Sequence, residues 1–344
     1  MKKYIFGTEP YDHQREAFEG SAEQENYALL MDMGTGKTKV CIDTIAHSFE
    51  KKKVDLAIIV APKGVIANWI GEIETHLPER IGTDIVLWKP NLTKAKRKEL
   101  VDLYKENDNL KFLLMNIEAF STKKGVDVAE FFVKKFKVFM AVDESTTIKN
   151  RQAKRTKSIC DVGRGAVMRR ILTGSPVTKS PMDLYSQMDF LSSKILGFKS
   201  YYAFQGRYAV VQRRTMGAHS FNNIVGFQRL DELTKTLDGH SFRGRKEDCL
   251  DLPDKVYMKR EVELTTEQRD AYVQMKNLAL ARLDSGDLST TQNVLTQIMR
   301  LQQICLGSLT DDDGVVHPLK SNRKQELMSI CEEVQGKAII WATW

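Results

Sequence analysis

The sequence predicts an α/β protein whose centre is a parallel sheet covered by helices on both faces. Three observations predict it. Apolar runs of strand length recur through the first half of the chain, amphipathic segments separate most of them, and a glycine-rich turn follows the first run. Strand, helix, strand in repetition buries both faces of a sheet. Its strands then read as continuous apolar runs, without the half-polar alternation of a sheet that has one wet face.

The strand candidates, in order, are YALLMDM (27–33), LAIIVAP (56–62), DIVLW (84–88), FLLMNIEAF (112–120), KVFMAVD (137–143) and RRILTGS (169–175). Segments such as TKVCIDTIAHSFEKK and KAKRKELVDLYKEN supply the covering helices. Ligands of such sheets gather at the carboxyl ends of the strands. From about residue 180 the pattern becomes helical, and a polar stretch rich in Gly and Arg then runs to about 250. KVYMKREVEL (255–264) reads as a strand opening a new unit. A helix starts at Thr266 and Glu267, and two more are expected near 291–305 and 322–334. The closing run GKAIIWATW (336–344) reads as a buried strand.

At 344 residues the chain has room for about two domains. Hydrophobic residues make up 42% and charged residues 28%, ordinary for a soluble protein. No run approaches the length of a membrane helix, and the start MKKYIFGTEP has too short an apolar stretch for a secretion signal. The expected location is the cytosol, or the nucleus of a eukaryotic host. Five widely spaced cysteines without a C-x-x-C argue against disulfides and zinc. The net charge of +7 is compatible with a polyanionic partner but does not require one.

Two motifs carry chemistry. In MDMGTGKTKV, Gly36-Lys37-Thr38 is the core of a P-loop, with Met31 where the full pattern has its first glycine. Main-chain N–H groups across Gly34, Thr35 and Gly36 would close around phosphate oxygens, helped by the positive end of the following helix. Lys37 would reach the β- and γ-phosphates, and the Thr38 hydroxyl would ligate Mg²⁺. In KVFMAVDESTTIKN a buried strand delivers Asp143 and Glu144 to its carboxyl end. Asp143 would hold Mg²⁺, and Glu144 would orient and deprotonate the attacking water. Each motif is confirming context for the other, so ATP and Mg²⁺ are the expected cofactors.

With these placed, further segments fall into the order of a known family. YDHQREAF, IIVAPKGVIANW, LLMNIEAF, DESTTIKN and RRILTGSPVTKSPMDLYSQMDFL resemble the Q motif, motif Ia, the Tyr-Glu segment, motif II and motif III of superfamily-two helicases, most closely the Swi/Snf-type DNA translocases. FRGRKEDCLDLPDK with ELTTEQRDAY, LTQIMRLQQICLG and GKAIIWATW resemble the junction into the second lobe, its Cys-ending helix and motif IV.

The resemblance implies a RecA-like ATP-binding lobe over 1–195, a helical protrusion and linker over 196–254, and the start of a second RecA-like lobe over 255–344. It implies that Gln14 reads the adenine edge, that Thr173 belongs to the catalytic set, and that Lys63, Asn68, Asn116, Lys149 and Asn150 contact nucleic acid. It also points, more loosely, to Arg207, Arg213, Arg214, Arg243 and Arg245. The implied partner is duplex DNA, held without regard to sequence.

Two departures stand out. Thr146 occupies the place of the family's motif II histidine, which links the ATP site to motif III. Nothing resembles the Gly-rich motif V or the arginines of motif VI, so slow ATP hydrolysis is expected of this chain, with the missing second-lobe groups needed in cis or from another chain. An unwinding helicase or restriction-type translocase subunit shares the same ATP site, and a non-motor nucleotide- or DNA-binding module is a further alternative.

Overall fold

All six apolar runs of the first half fold as strands: β1 (Asn26–Met31), β2 (Leu56–Ala61), β3 (Thr83–Leu87), β4 (Leu110–Asn116), β5 (Val138–Asp143) and β6 (Met168–Leu172). They are seen in a computed structural model that describes residues 4–91, 93–216, 219–249, 253, 255–284, 291–311 and 313–342. Three more strands follow in the same unit, β7 (Ala209–Met216), β8 (His219–Phe227) and β9 (Ser241–Gly244). The main sheet has seven strands in the order β3-β4-β2-β5-β6-β1-β9, each neighbour parallel.

The alternation of a strand's side chains explains the two cores. Leu56, Ile58 and Val60 of β2 join Val138, Met140 and Val142 of β5 on one face, where Phe132 and Phe190 pack from helices Lys123–Lys135 and Leu184–Leu191. Ala57 and Ile59 of β2 join Phe139 and Ala141 of β5 on the other face, under Ile42, Ile45, Trp69 and Ile73 from helices Lys37–Glu50 and Asn68–His76. Both faces are therefore apolar, as the continuous runs require. Burying each large side chain of this kind stabilises the fold by about 1.5–3 kcal/mol.

Of the charged residues buried in this unit, Arg170 is the most completely enclosed. Arg170 of β6 is fully buried and donates to the carbonyls of Ser21 (2.7 Å), Gln24 (2.6 Å), Glu25 (3.0 Å) and Arg169 (2.8 Å). It satisfies orphan carbonyls at the end of helix Asp12–Ser21 and in the turn leading to β1. Burial draws its pKa down to about 10, so it remains charged at neutral pH.

The stretch 196–254 differs from the helical expectation. Helices Tyr201–Tyr208 and Leu230–Asp238 flank an antiparallel hairpin, β7–β8, and β9 then pairs with β1 at the edge of the main sheet. The hairpin escaped notice because its strands carry polar and charged residues on a largely exposed surface. β9, with the sequence SFRG, holds a single large apolar residue and is fixed by main-chain pairing.

Contacts divide the chain into two compact units, Met1–Leu252 and Pro253–Trp344. The second contains helices Thr266–Asp284, Thr291–Leu306 and Arg323–Glu333 and the small pair β10 (Ser308–Thr310) and β11 (Val316–Pro318). Buried Gln268 ties its first two helices together by donating to the Ile304 carbonyl at 2.7 Å. Two strand expectations fail here. KVYMKREVEL is extended without a ladder from 255 to 264, and Val256, Tyr257 and Met258 are exposed. GKAIIWATW forms no strand over its described residues, with Trp341 91% exposed; residues 343 and 344 lie outside the described residues. An apolar run becomes a strand only beside a partner that takes its main-chain hydrogen bonds, and among the described residues of this unit neither run has one.

Candidate functional site

The parallel sheet brings the expected chemistry to one edge. β6 lies between β1 and β5, with Leu172 level with Asp143 on one side and with Leu29 on the other. The glycine loop after β1, Thr173 after β6 and the acidic pair at the end of β5 therefore stand side by side.

In the loop, Gly34 and Gly36 both have φ of +84°, a conformation that costs an L side chain about 1 kcal/mol or more. Gly36 is required twice over. It caps helix Lys37–Glu50 in the left-handed region, and a methyl group on it would lie 2.1 Å from the Gln14 side-chain nitrogen. Gln14 Nε2 donates to the Thr35 carbonyl (3.2 Å), while Gln14 Oε1 accepts from the Tyr11 main-chain N–H (3.1 Å). His13 Nε2 also meets the Thr35 carbonyl, at 2.8 Å. Gln14 thus braces the loop from below, and each of its amide atoms keeps one further hydrogen-bonding position. The Thr35 hydroxyl closes the turn by donating to the Asp32 carbonyl at 2.8 Å.

Lys37 opens the helix, and its ammonium lies 3.7 Å from the Glu144 carboxylate. Asp143 is buried, accepting from the Trp69 indole N–H (3.0 Å) and the Glu144 main-chain N–H (2.9 Å). Glu144 sits at φ 50°, ψ 57°, a left-handed conformation that costs a non-glycine residue on the order of 1–2 kcal/mol. The turn aims its carboxylate back at Lys37.

Burial raises the pKa of Asp143, opposed by the Trp69 hydrogen bond and then the Lys37 ammonium. Burial also raises that of Glu144, opposed by Lys37 and reinforced by the charge of Asp143. Two neighbouring carboxylates held up in this way form a site short of positive charge. Among the described residues no three His, Cys, Asp or Glu side chains converge to hold a metal unaided. The carboxylate oxygens of Asp143 are hard donors, of the kind that suit a cation taking its other ligands from phosphate and water.

The third loop packs on the first. Thr173 is buried and donates its N–H to the Leu29 carbonyl (3.1 Å), while its hydroxyl accepts from the Ser175 N–H (3.2 Å). A methyl group on Gly174 would come 3.3 Å from Asp32 Cα and 3.4 Å from the Met31 carbonyl oxygen. The link between the segments around Asp143 and Thr173 is made by residues the sequence reading did not single out. Ser145 Oγ donates to Gln187 Oε1 (2.6 Å), and Gln187 Nε2 donates to the carbonyls of Pro176 (2.7 Å) and Asp183 (2.8 Å). Ser186 Oγ donates to the Ile148 carbonyl at 2.7 Å. A buried glutamine and serine on an amphipathic segment give no periodic signal; only their burial in the fold exposes the role.

The other named residues lie farther along the same edge. Lys63 and Asn68 follow β2, and both are exposed. Asn116 ends β4 and donates to Glu118 at 3.0 Å. Lys149 and Asn150 follow the turn after β5; Lys149 Nζ donates to Thr178 Oγ1, and Asn150 Oδ1 accepts from the Gln152 N–H at 3.0 Å. Of the loosely implicated arginines, Arg207 is already paired with Glu232 through two hydrogen bonds of 3.0 and 2.6 Å.

The family model of the SNF2-related domain matches residues 13–308. The chain belongs to that family. An uncharacterized ATP-dependent helicase of Mycoplasma genitalium is 27% identical over 83% of this SNF2-related chain and 25% of its own length. A subunit of the SWI/SNF chromatin-remodeling complex of Schizosaccharomyces pombe is 28% identical over 81% of this chain and 16% of its own. The chain thus spans about a quarter or less of these curated relatives. Among solved structures, the Sulfolobus solfataricus SWI2/SNF2 ATPase core in complex with dsDNA resembles 97% of this chain and 66% of that one, with a TM-score of 0.53 and 21% identity. That likeness shows the shared RecA-like α/β fold. No helix among the described residues is long and apolar enough to cross a membrane.

Proposed function

We propose that this SNF2-related chain is the ATP-binding core of a motor that hydrolyses ATP and uses the cycle to move along duplex DNA. The observation that carries the reading is the convergence of the Lys37 loop and the Asp143–Glu144 strand end, with 3.7 Å between ammonium and carboxylate. In this reading Gly34, Thr35 and Gly36 offer main-chain N–H groups to the phosphates and Lys37 neutralises them. Thr38 and Asp143 would hold Mg²⁺, which would supply positive charge to the phosphate oxygens during transfer. Glu144 would take the proton of the attacking water, a role that the upward shift of its pKa by burial favours. Trp69 fixes the Asp143 carboxylate, Thr173 stands beside the loop, and the spare positions of Gln14 suit an adenine edge.

DNA would lie along the β2, β4 and β5 ends, against Lys63, Asn68, Asn116, Lys149 and Asn150. Contacts of this sort grip phosphates and carry no sequence information directly. The dsDNA held by the Sulfolobus ATPase core supports this part of the proposal. In the same spirit, residues 1–195 serve as the nucleotide lobe and 255–344 as part of a second lobe, a division supported by the contact boundary at Leu252–Pro253.

The test is nucleotide binding and ATP turnover by the purified chain, with and without duplex DNA. Mg²⁺-dependent ATP binding that Lys37→Ala abolishes, with turnover that is slow and rises only modestly on adding DNA, is the expected result. Nucleotide affinity indifferent to Lys37 would refute the proposal.

A further inference from the structure

The phosphate loop has a second cation beside it. β9 pairs in parallel with β1, and Asp32, where β1 enters the loop, donates its N–H to the Gly244 carbonyl at 2.9 Å. Two residues further on, the Lys246 main-chain N–H donates to the same residue's carboxylate, Asp32 Oδ2, at 2.9 Å. Two hydrogen bonds to one aspartate thus fix where Lys246 starts relative to the loop. Its side chain reaches over the loop itself. A methyl group placed on Gly34 would lie 3.9 Å from Lys246 Nζ, the one described atom within 4 Å beyond its own chain neighbours. The ammonium makes no ion pair or hydrogen bond among the described residues, and the residue is exposed. Lys37 reaches the loop from a different element and inclines toward Glu144.

We infer that Lys246 is a second phosphate-contacting cation, which closes on the polyphosphate of the bound nucleotide from the Gly34 side while Lys37 holds it from the helix side. This rests on the nucleotide-site reading above. A lone ammonium held by a main-chain anchor over main-chain N–H groups gains little from any neutral ligand. A triphosphate within reach gives it a charge-assisted partner, which it lacks among the described residues. The Asp32 carboxylate acts as the clamp, since it accepts the hydrogen bond that begins the short helix Lys246–Cys249.

The experiment is equilibrium binding of fluorescent ATP and ADP to the full chain and to Lys246→Ala, Lys246→Arg and Lys37→Ala, with circular dichroism to verify folding. Lys246→Ala should bind ATP about five- to twentyfold more weakly, lose less on ADP, and show a flatter salt dependence; Lys246→Arg should recover most of the loss. Unchanged ATP affinity in Lys246→Ala, or a loss that arginine does not restore, overturns the assignment. Lys37→Ala separates the two ideas. If it binds ATP normally, the nucleotide site itself is refuted; if it fails to bind while Lys246→Ala behaves as wild type, only the role of Lys246 is refuted.

Discussion

The carboxyl edge of the sheet has two halves built on opposite plans. At the ends of β1, β6 and β5 the side chains are buried and already committed: Gln14 to Thr35 and Tyr11, Asp143 to Trp69, Ser145 to Gln187. Past the ends of β2 and β4, Lys63 and Asn68 stand exposed, and the Asn116 side chain donates to nearby Glu118. A small charged ligand whose chemistry demands sub-ångström placement needs a braced cup. A polymer backbone followed for its charge needs donors that can adjust. In the proposed reading, rigidity follows the ligand's demand, since one sheet edge supplies both halves.

Substitutions sharpen that contrast, and the largest effect belongs to the braced half. Glu144→Gln keeps the shape and removes the base, so turnover should fall about 100-fold or more while ATP affinity stays within a few-fold. Steady-state turnover set beside equilibrium binding checks it, and parallel losses in both would show that Glu144 serves only to position Lys37. Gln187→Leu comes next. It strips the acceptor from buried Ser145 and the donor from the Pro176 and Asp183 carbonyls, so denaturant melts should show a loss of about 2 kcal/mol. DNA stimulation of turnover should weaken with it, because this glutamine joins the segments after β5 and β6 where Thr146 replaces the expected histidine.

Trp69→Phe is milder. It preserves most of the packing and removes one hydrogen bond to Asp143, so the affinity for Mg²⁺–ATP should drop about fivefold, roughly 1 kcal/mol. An undiminished affinity would mean that Asp143 is placed by the sheet alone. The smallest change is expected in the open half. Lys63→Ala should weaken duplex binding only two- to threefold at low salt and reduce the salt slope by about one, the signature of a single phosphate contact. If Lys63→Ala instead abolished DNA binding, the adjustable half would prove to be as tightly built as the other.

The six central strands were legible because burial on both faces writes itself into the chain as unbroken apolar runs, as LAIIVA and KVFMAVD show. The two motifs stood out because the phosphate and metal chemistry they suggest tolerates few residue types. β9 was not, since a four-residue edge strand is held by main-chain groups that every sequence possesses. The runs at 255–264 and 336–344 show the opposite failure. Apolarity announced a strand, but pairing decides it, and pairing depends on residues elsewhere. In the site, Lys37, Asp143 and Glu144 were named in advance, while His13, Gln187 and Lys246 were not. Each acts through tertiary proximity: His13 on the Thr35 carbonyl, Gln187 between two loops, and Lys246 arriving from beyond β9.

The absence of a side chain at position 174 has a mechanical meaning. The turn after β6 lies directly on the backbone of residues 31–33, with slightly less room than a methyl group needs. Such a joint has little slack, so a displacement of the glycine loop would be handed on to the chain running toward Pro176 and Gln187. A methyl group in the joint would sit 3.3–3.4 Å from backbone atoms of residues 31 to 33, so the two loops would have to part by a few tenths of an ångström, and the stiffness of the link between them would fall.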